Sequence, residues 1–315
     1  MSMDVWVLGR IGYDLYAVDH GRPLPEVEQF SRHLGGSSAN MAVGLSRLGL
    51  KVGIISAVGD DLLADYLLGF LKSEGVDTHF TVRVPGYNTS LCLTEVWPPK
   101  HFRQVFYRTS PADAHVEIDE AALNEIGKAR MFVTNGTSLA SLPSRDSAMV
   151  ALQVAKQRGV MTVFDVDYRP SSWPDVDAAG DQAQQTLAFA DVVLANEEEL
   201  ALLTNNASDA VNAVLNAGPR VLVQKLGARG VAAHIKGESH LGPSRTERLL
   251  CAIGGGDAFA SGFLYALLDG RDLPTALAYG NASAAIVVSR VSCSDAMPGL
   301  EEIRVLLKGS AAASI

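Results

Sequence analysis

Cysteine is scarce in this chain: Cys92, Cys251 and Cys293 are the only three in 315 residues, widely spaced and odd in number. That pattern offers neither a disulfide framework nor zinc-ligand spacing, and it points to reduced thiols in a cytoplasmic protein. Basic charge is short as well. Lys and Arg number 26 against 35 Asp and Glu, a net charge of −9, which excludes a general binder of nucleic acid or of anionic membrane. A local set of donors for ATP is still compatible with that balance. No apolar run approaches the length of a bilayer span. The first apolar run, Val5-Trp6-Val7-Leu8-Gly9, follows acidic Asp4 rather than a basic leader. Two familiar nucleotide motifs are also missing. Phe259 stands where a dinucleotide fingerprint needs its third glycine, and the Gly127-Lys128 pair is followed by Ala129, with Ala122 in place of the first P-loop glycine. There is no internal repeat and no linker rich in Pro, Gly or Ser.

What is present is alternation. Short apolar runs at 52–58, 131–134, 161–165, 191–195 and 221–224 predict strands, with helical patterns at 39–48, 62–74, 144–157 and 182–190 between them. Strand–helix alternation at this spacing implies parallel strands joined by right-handed crossovers, hence a layered α/β sheet. From Asp257 onward the pattern is mainly helical, through 274–289 and 300–308, and the 309–314 tail is expected to fray. Two segments break the rhythm, 13–33 and 79–110. The second alternates in the manner of antiparallel strands, most clearly at 91–96 and 103–107. Together they predict a small sheet that serves as a lid, a dimerisation surface, or both.

Residues with chemistry gather at the ends of the predicted strands, where open α/β sheets bind ligands. Gly254-Gly255-Gly256-Asp257 leads straight into an apolar helical pattern. Amides at such a helix start suit a phosphate or oxyanion, and Asp257 sets a proton acceptor beside them. A flexible connection with dipole complementation explains the same residues more plainly. Gly35-Gly36, followed by Asn40, is a second glycine-rich helix start, a polyol site or only a capped turn. Asp14 follows the first strand and could take two vicinal hydroxyls, or be a solvated turn residue. Asp165, Asp167 and Arg169 leave another strand. Arg169 could bind a carboxylate through its planar fork or pair with its own neighbours. Asn196 and Glu199 lie one helical turn apart and would suit hydrated Mg²⁺, or simply a helix N-terminus. Lys225-Leu226-Gly227-Ala228-Arg229-Gly230 could lie against a nucleotide or turn a hairpin.

In order and spacing these motifs resemble the ribokinase (phosphofructokinase-B-like) family of carbohydrate kinases over nearly the whole chain. Gly35-Gly36 with Asn40, Asn196-x-x-Glu199 and Gly254-Gly255-Gly256-Asp257 carry the resemblance. It implies an α/β fold, a three-layer sandwich with a mainly parallel central sheet and a small β lid. The chain would be a single kinase domain over 1–315, with lid segments at about 13–33 and 79–110. Asp257 would be the general base, with the amides of Gly254, Gly255 and Gly256 as an anion hole. Glu199 would organise Mg²⁺ through water. Asn196, Lys225, Gly227, Gly230 and Asn281 would lie near ATP, and Asp14, Gly35, Gly36 and Asn40 would hold the substrate. A homodimer through the lid is implied as well. One departure stands out: Cys251-Ala252-Ile253 replaces the family's frequent Asp-Thr-Thr, which leaves a monovalent cation doubtful as a cofactor. The stretches 8–16, 164–173 and 293–298 resemble the family's branch acting on keto-deoxy sugar acids. Tyr107, Arg108 and Arg169 could converge on such a carboxylate. The expected activity is phosphorylation of the acid's terminal hydroxyl by ATP. Other sugar kinases of the family, and a catalytically silent sugar- or nucleotide-binding regulator, are the alternatives.

Overall fold

A computed structural model describes residues 2–99, 101–246 and 248–312. β1 (Val5–Leu8) is buried along its whole length, as a central parallel strand must be. The chain continues through β2 (Gly12–Ala17), β3 (Phe30–Gly35), α1 (Ser37–Arg47), β4 (Val52–Gly59), α2 (Leu62–Ser73), β5 (Thr81–Val84), β6 (Ser90–Thr94) and β7 (Gln104–Tyr107). The middle third alternates α3 (Glu120–Ile126), β8 (Met131–Asn135), α4 (Ser144–Gln157), β9 (Met161–Asp165), α5 (Val176–Leu187), β10 (Val192–Asn196), α6 (Glu197–Thr204) and α7 (Ala210–Ala217). It ends in β11 (Val221–Lys225), β12 (Val231–Ile235), β13 (Glu238–Gly242), α8 (Gly255–Leu268), α9 (Leu273–Val288) and α10 (Leu300–Ala312).

Nine strands form one sheet in the order β13-β12-β11-β10-β9-β8-β1-β4-β5, parallel except for the β11-β12-β13 meander. Strand alternation divides its side chains between two cores. Val5 and Val7 pack with Met41 of α1, Leu67 of α2, Phe263 of α8 and Leu277 of α9. Trp6 and Leu8 face the other way, among Ile126 of α3, Leu152 of α4, Leu187 of α5 and Leu203 of α6. Helices on both faces make the three-layer sandwich that the motif order implied.

A second sheet runs β3-β2-β6-β7. It is mixed rather than antiparallel throughout, because β2 and β6 run parallel. β5, inside the segment expected to form only the small sheet, instead pairs with β4 on the edge of the large one. The loop after α2 returns the chain beside β4, so β5 extends the parallel sheet before the chain departs for β6. The sequence patterns did not signal α3, α7, β12 or β13. α10 runs to Ala312, so the start of the tail expected to fray is helical; 313–315 lie outside the described residues.

Candidate active site

A cleft of about 340 Å³ opens where β1, β9, β10 and β11 end, bounded by the small sheet and the start of α8. At α8 the helix begins with Gly254 as N-cap at φ +81, a left-handed geometry that glycine adopts without strain. A Cβ on Gly254 would also meet the Cys293 sulfur at 2.8 Å. No side chain caps this helix start. The amides of Gly256 and Asp257 find no acceptor among the described residues, so they are free donors at a positive dipole end. Gly254 and Gly256 line the cleft, whereas a Cβ on Gly255 would point to Val288 of α9.

Asp257 reaches into the cleft and accepts a hydrogen bond at 2.7 Å from Asn40 Nδ2. Burial pushes its carboxyl up to about 7, the Asp167 carboxylate adds to that, and the Asn40 bond works against it. The Asn40 Oδ1 is buried without a hydrogen-bond partner. One amide thus orients the carboxylate with its nitrogen and offers an open acceptor with its oxygen.

On the small-sheet side, β2 carries Asp14 into the same cleft. Burial raises its pKa to about 6 against the pull of Arg10 and His33. Gly35 makes this possible, since a Cβ there would sit 2.2 Å from the Asp14 carboxylate. Gly36, at φ +96, lets α1 start against the Arg10 carbonyl, 2.4 Å from where a Cβ would be. Arg10, Gln104 and Phe106 complete this wall, with the Arg10 guanidinium 5.8 Å from the Phe106 ring centre.

The opposite wall is a network of paired charges. Lys225, at the end of β11, donates to Asp165 at 2.8 Å and lies 3.8 Å from Glu199. Burial disfavours the ammonium, but Asp165 and Glu199 more than offset it, and its pKa is raised. Burial likewise raises Asp165, to about 6. Glu199 accepts from the amides of Tyr168 at 3.0 Å and Asn196 at 2.7 Å, while the Asn196 side chain accepts from the Glu199 amide. Asn196 and Glu199 are therefore a capping box as well as cleft residues. Arg169 pairs with Asp167 at 2.8 Å.

Ten of the expected residues line one cleft: Asp14, Gly36, Asn40, Arg169, Asn196, Glu199, Lys225, Gly254, Gly256 and Asp257. Others do not reach it. Gln104 and Phe106 face inward from β7 while Tyr107 points out, 61% exposed, as two-residue alternation requires. Arg108, just past the strand, pairs with Asp113 and bonds Ser90 and Ser172. The convergence of Tyr107, Arg108 and Arg169 on one ligand group is thus not what the structure forms. The Gly227 and Gly230 turn joins antiparallel β11 and β12, the hairpin alternative for that segment. Gly230 packs on the Gly242 carbonyl, which also accepts from Asn281 at 2.9 Å, so both stand together beside the cleft rather than in it. Sequence reasoning assigned no role to Arg10, Gln104, Phe106 or Cys293. Alternation along β7 was the signal available for Gln104 and Phe106.

The chain matches the family model described as pfkB family carbohydrate kinase over residues 2–300. A curated protein named 5-dehydro-2-deoxygluconokinase, from Halalkalibacterium halodurans, is 36% identical over 314 residues, covering 98% of this chain and 95% of its own length. Among solved structures, a fructokinase with bound ATP from Xylella fastidiosa superposes with a TM-score of 0.87 at 26% identity, covering 98% of this chain and 99% of its own. A putative ribokinase II from E. coli, in complex with ATP and Mg²⁺, shares the fold with a TM-score of 0.89 at 24% identity, covering 98% and 100%. This chain belongs to the pfkB family of carbohydrate kinases.

Proposed function

We propose that this kinase phosphorylates the terminal hydroxyl of 5-dehydro-2-deoxy-D-gluconate at the expense of ATP. The observation that carries the substrate is the end-to-end similarity to a kinase of that name. The cleft supports it, since the poised carboxylate of Asp257 and two arginines, Arg10 and Arg169, line the same cavity. The reading takes the chain as one kinase domain.

Asp257 would take the proton of the terminal hydroxyl as that oxygen attacks the γ-phosphorus in line, with ADP departing from the far side. A carboxyl group raised to about 7 is a stronger base than an ordinary aspartate and still available near neutrality. The Asn40 Oδ1 would accept from a substrate hydroxyl, and Asp14 from a second. The free amides of Gly256 and Asp257 would meet charge developing on the transferring phosphoryl group. Asp165, Asp167, Asn196 and Glu199 offer oxygen donors at the paired wall. Both Glu199 oxygens already accept backbone amides, so Glu199 would hold Mg²⁺ through water, a mode that suits this ion. When bound, Mg²⁺ neutralises phosphate charge. Lys225 would keep Asp165 and Glu199 in position, and Gly227, Gly230 and Asn281 would shape the nucleotide side.

Two copies would pair through the small sheet, whose strand β7 leaves Val105 and Tyr107 exposed; the sedimentation mass of the purified protein tests this. ADP release with 5-dehydro-2-deoxy-D-gluconate, 2-dehydro-3-deoxy-D-gluconate and neutral sugars tests the substrate. Preference for the first by kcat/KM is the expected result. Preference for the second moves the assignment to its kinase, and preference for a neutral sugar overturns the sugar-acid reading.

A further inference from the structure

Three side-chain cations line the cleft, and they differ in what they already hold. Lys225 is paired with Asp165, and Arg169 with Asp167. Arg10 is only 9% exposed, yet it makes no hydrogen bond and no ion pair among the described residues. Its guanidinium instead lies over the face of Phe106, 5.8 Å from the ring centre. Burying a guanidinium without an acceptor is costly, so such a group marks a place for an anion that arrives later.

The surroundings are shaped to keep it open. A Cβ on Gly12 would stand 3.2 Å from Arg10 Nη1, so glycine there leaves the fork free. The Arg10 backbone packs on Gly36, whose carbonyl accepts from the Asn40 amide at 2.8 Å, and Asn40 in turn holds Asp257. Arg10 is thereby tied to the base through a short rigid path. Its charge acts on Asp14 on the small-sheet side, whereas Asp167, Asp165 and Arg169 act on Asp257. A linear acid with its reacting hydroxyl at Asp257 would extend its other end toward this guanidinium.

We propose that Arg10 is the residue that selects a carboxylate substrate, binding it through its planar fork on the small-sheet side of the cleft. This rests on the sugar-acid reading of the function. Arg169 serves instead to hold Asp167, and Arg108 is committed to Asp113 outside the cleft. A planar fork matches a carboxylate in two parallel hydrogen bonds, whereas a neutral amide of the same shape gains little from it.

The test compares 5-dehydro-2-deoxy-D-gluconate with its primary amide, by ADP release, in the wild type, Arg10→Gln and Arg10→Lys. Loss of a charge-assisted pair should raise the KM of the acid about 10- to 100-fold in Arg10→Gln. The KM of ATP and kcat/KM for the amide should stay within about twofold. Arg10→Lys, which keeps the charge without the fork, should lie between and covers the case in which Arg10→Gln does not fold. An unchanged acid KM, or an equal loss on acid and amide, overturns the proposal. A wild-type enzyme that turns over neutral sugars but not the acid overturns the function reading, and this proposal with it, before any variant is made.

Discussion

The two walls of the cleft handle charge in opposite ways. On the β9–β11 side each ion already has a counter-ion: Lys225 with Asp165, Arg169 with Asp167, and Glu199 holding two backbone amides. On the small-sheet side Arg10 and Asp14 are buried, and neither side chain has a hydrogen bond among the described residues. The first wall is organised before any ligand enters, as electrostatic stabilisation of a transition state requires. The second holds its polar groups unsatisfied, which suits recognition, because a ligand lacking the complementary groups leaves the cost in place. Between them stands Asp257, bonded to Asn40 of the recognition side and raised by Asp167 of the organised side.

The largest expected effect comes from the residue that joins the walls. Asp257→Asn removes the base while keeping the shape and the Asn40 neighbour. It should lower kcat by about 10²- to 10⁴-fold, the usual worth of general-base assistance, with ATP binding largely intact. Steady-state turnover and nucleotide titration of the variant check this, and near-normal turnover sinks the assignment. The organised wall is broken next by Lys225→Met, which leaves Asp165 buried beside Glu199 without its cation. Breaking a buried pair in this way costs about 3–5 kcal/mol, measurable by denaturant unfolding. Arg10→Gln on the other wall should cost less, because Arg10 has no ion-pair partner among the described residues and only eases the charge of Asp14. If both variants lose stability alike, the contrast between the walls is wrong.

Much of the frame was readable from the sequence, and the reasons are physical. Apolar runs of four to eight residues alternating with helical periods at 52–58, 131–134, 161–165 and 221–224 became β4, β8, β9 and β11 because fully buried parallel strands leave little room for polar residues. The glycine-rich helix starts were legible because backbone geometry demanded them: Gly36 and Gly254 have positive φ. What stayed hidden was set by pairing across distance. Whether Arg169 bound a ligand or Asp167 could not be read from a stretch holding both. Tyr107 looked like a site residue until the register of β7 turned Phe106 inward. Arg10, inside the stretch 8–16, gained meaning only when the fold left it without an acceptor among the described residues. β5 was lost to the large sheet because four residues carry no mark of which edge they will join.

The recognition wall is probed by Asp14→Asn. Its folded pKa of about 6 lies above the unfolded 3.8, so the native state favours the protonated form. The charged form is therefore held at a cost, absent below the unfolded value and fully present once pH rises past about 6. Removing the charge should stabilise the ligand-free protein by about 2–3 kcal/mol at pH 8 and leave it unchanged near pH 3.5. The same change should weaken substrate binding. Thermal unfolding at the two pH values separates this from a generic loss of packing, which would destabilise at both.

The smallest effect sharpens the link between the walls. With the Asp257 carboxyl at about 7, kcat/KM for the sugar should fall about tenfold per pH unit below that value, because the protonated acid cannot act as a base. Burial is the first cause of the raised value and cannot be altered simply, but the second, Asp167, can. Asp167→Asn removes a like charge, so the Asp257 carboxyl should ionise at lower pH and the acid limb should move down. Arg169→Ala works in the opposite sense, since it removes a positive charge that now lowers the value and leaves Asp167 unpaired. Opposite displacements of the limb in the two variants would place Asp257 under the control of the organised wall. Displacements of the same sign, or none, would mean that the limb belongs to another group.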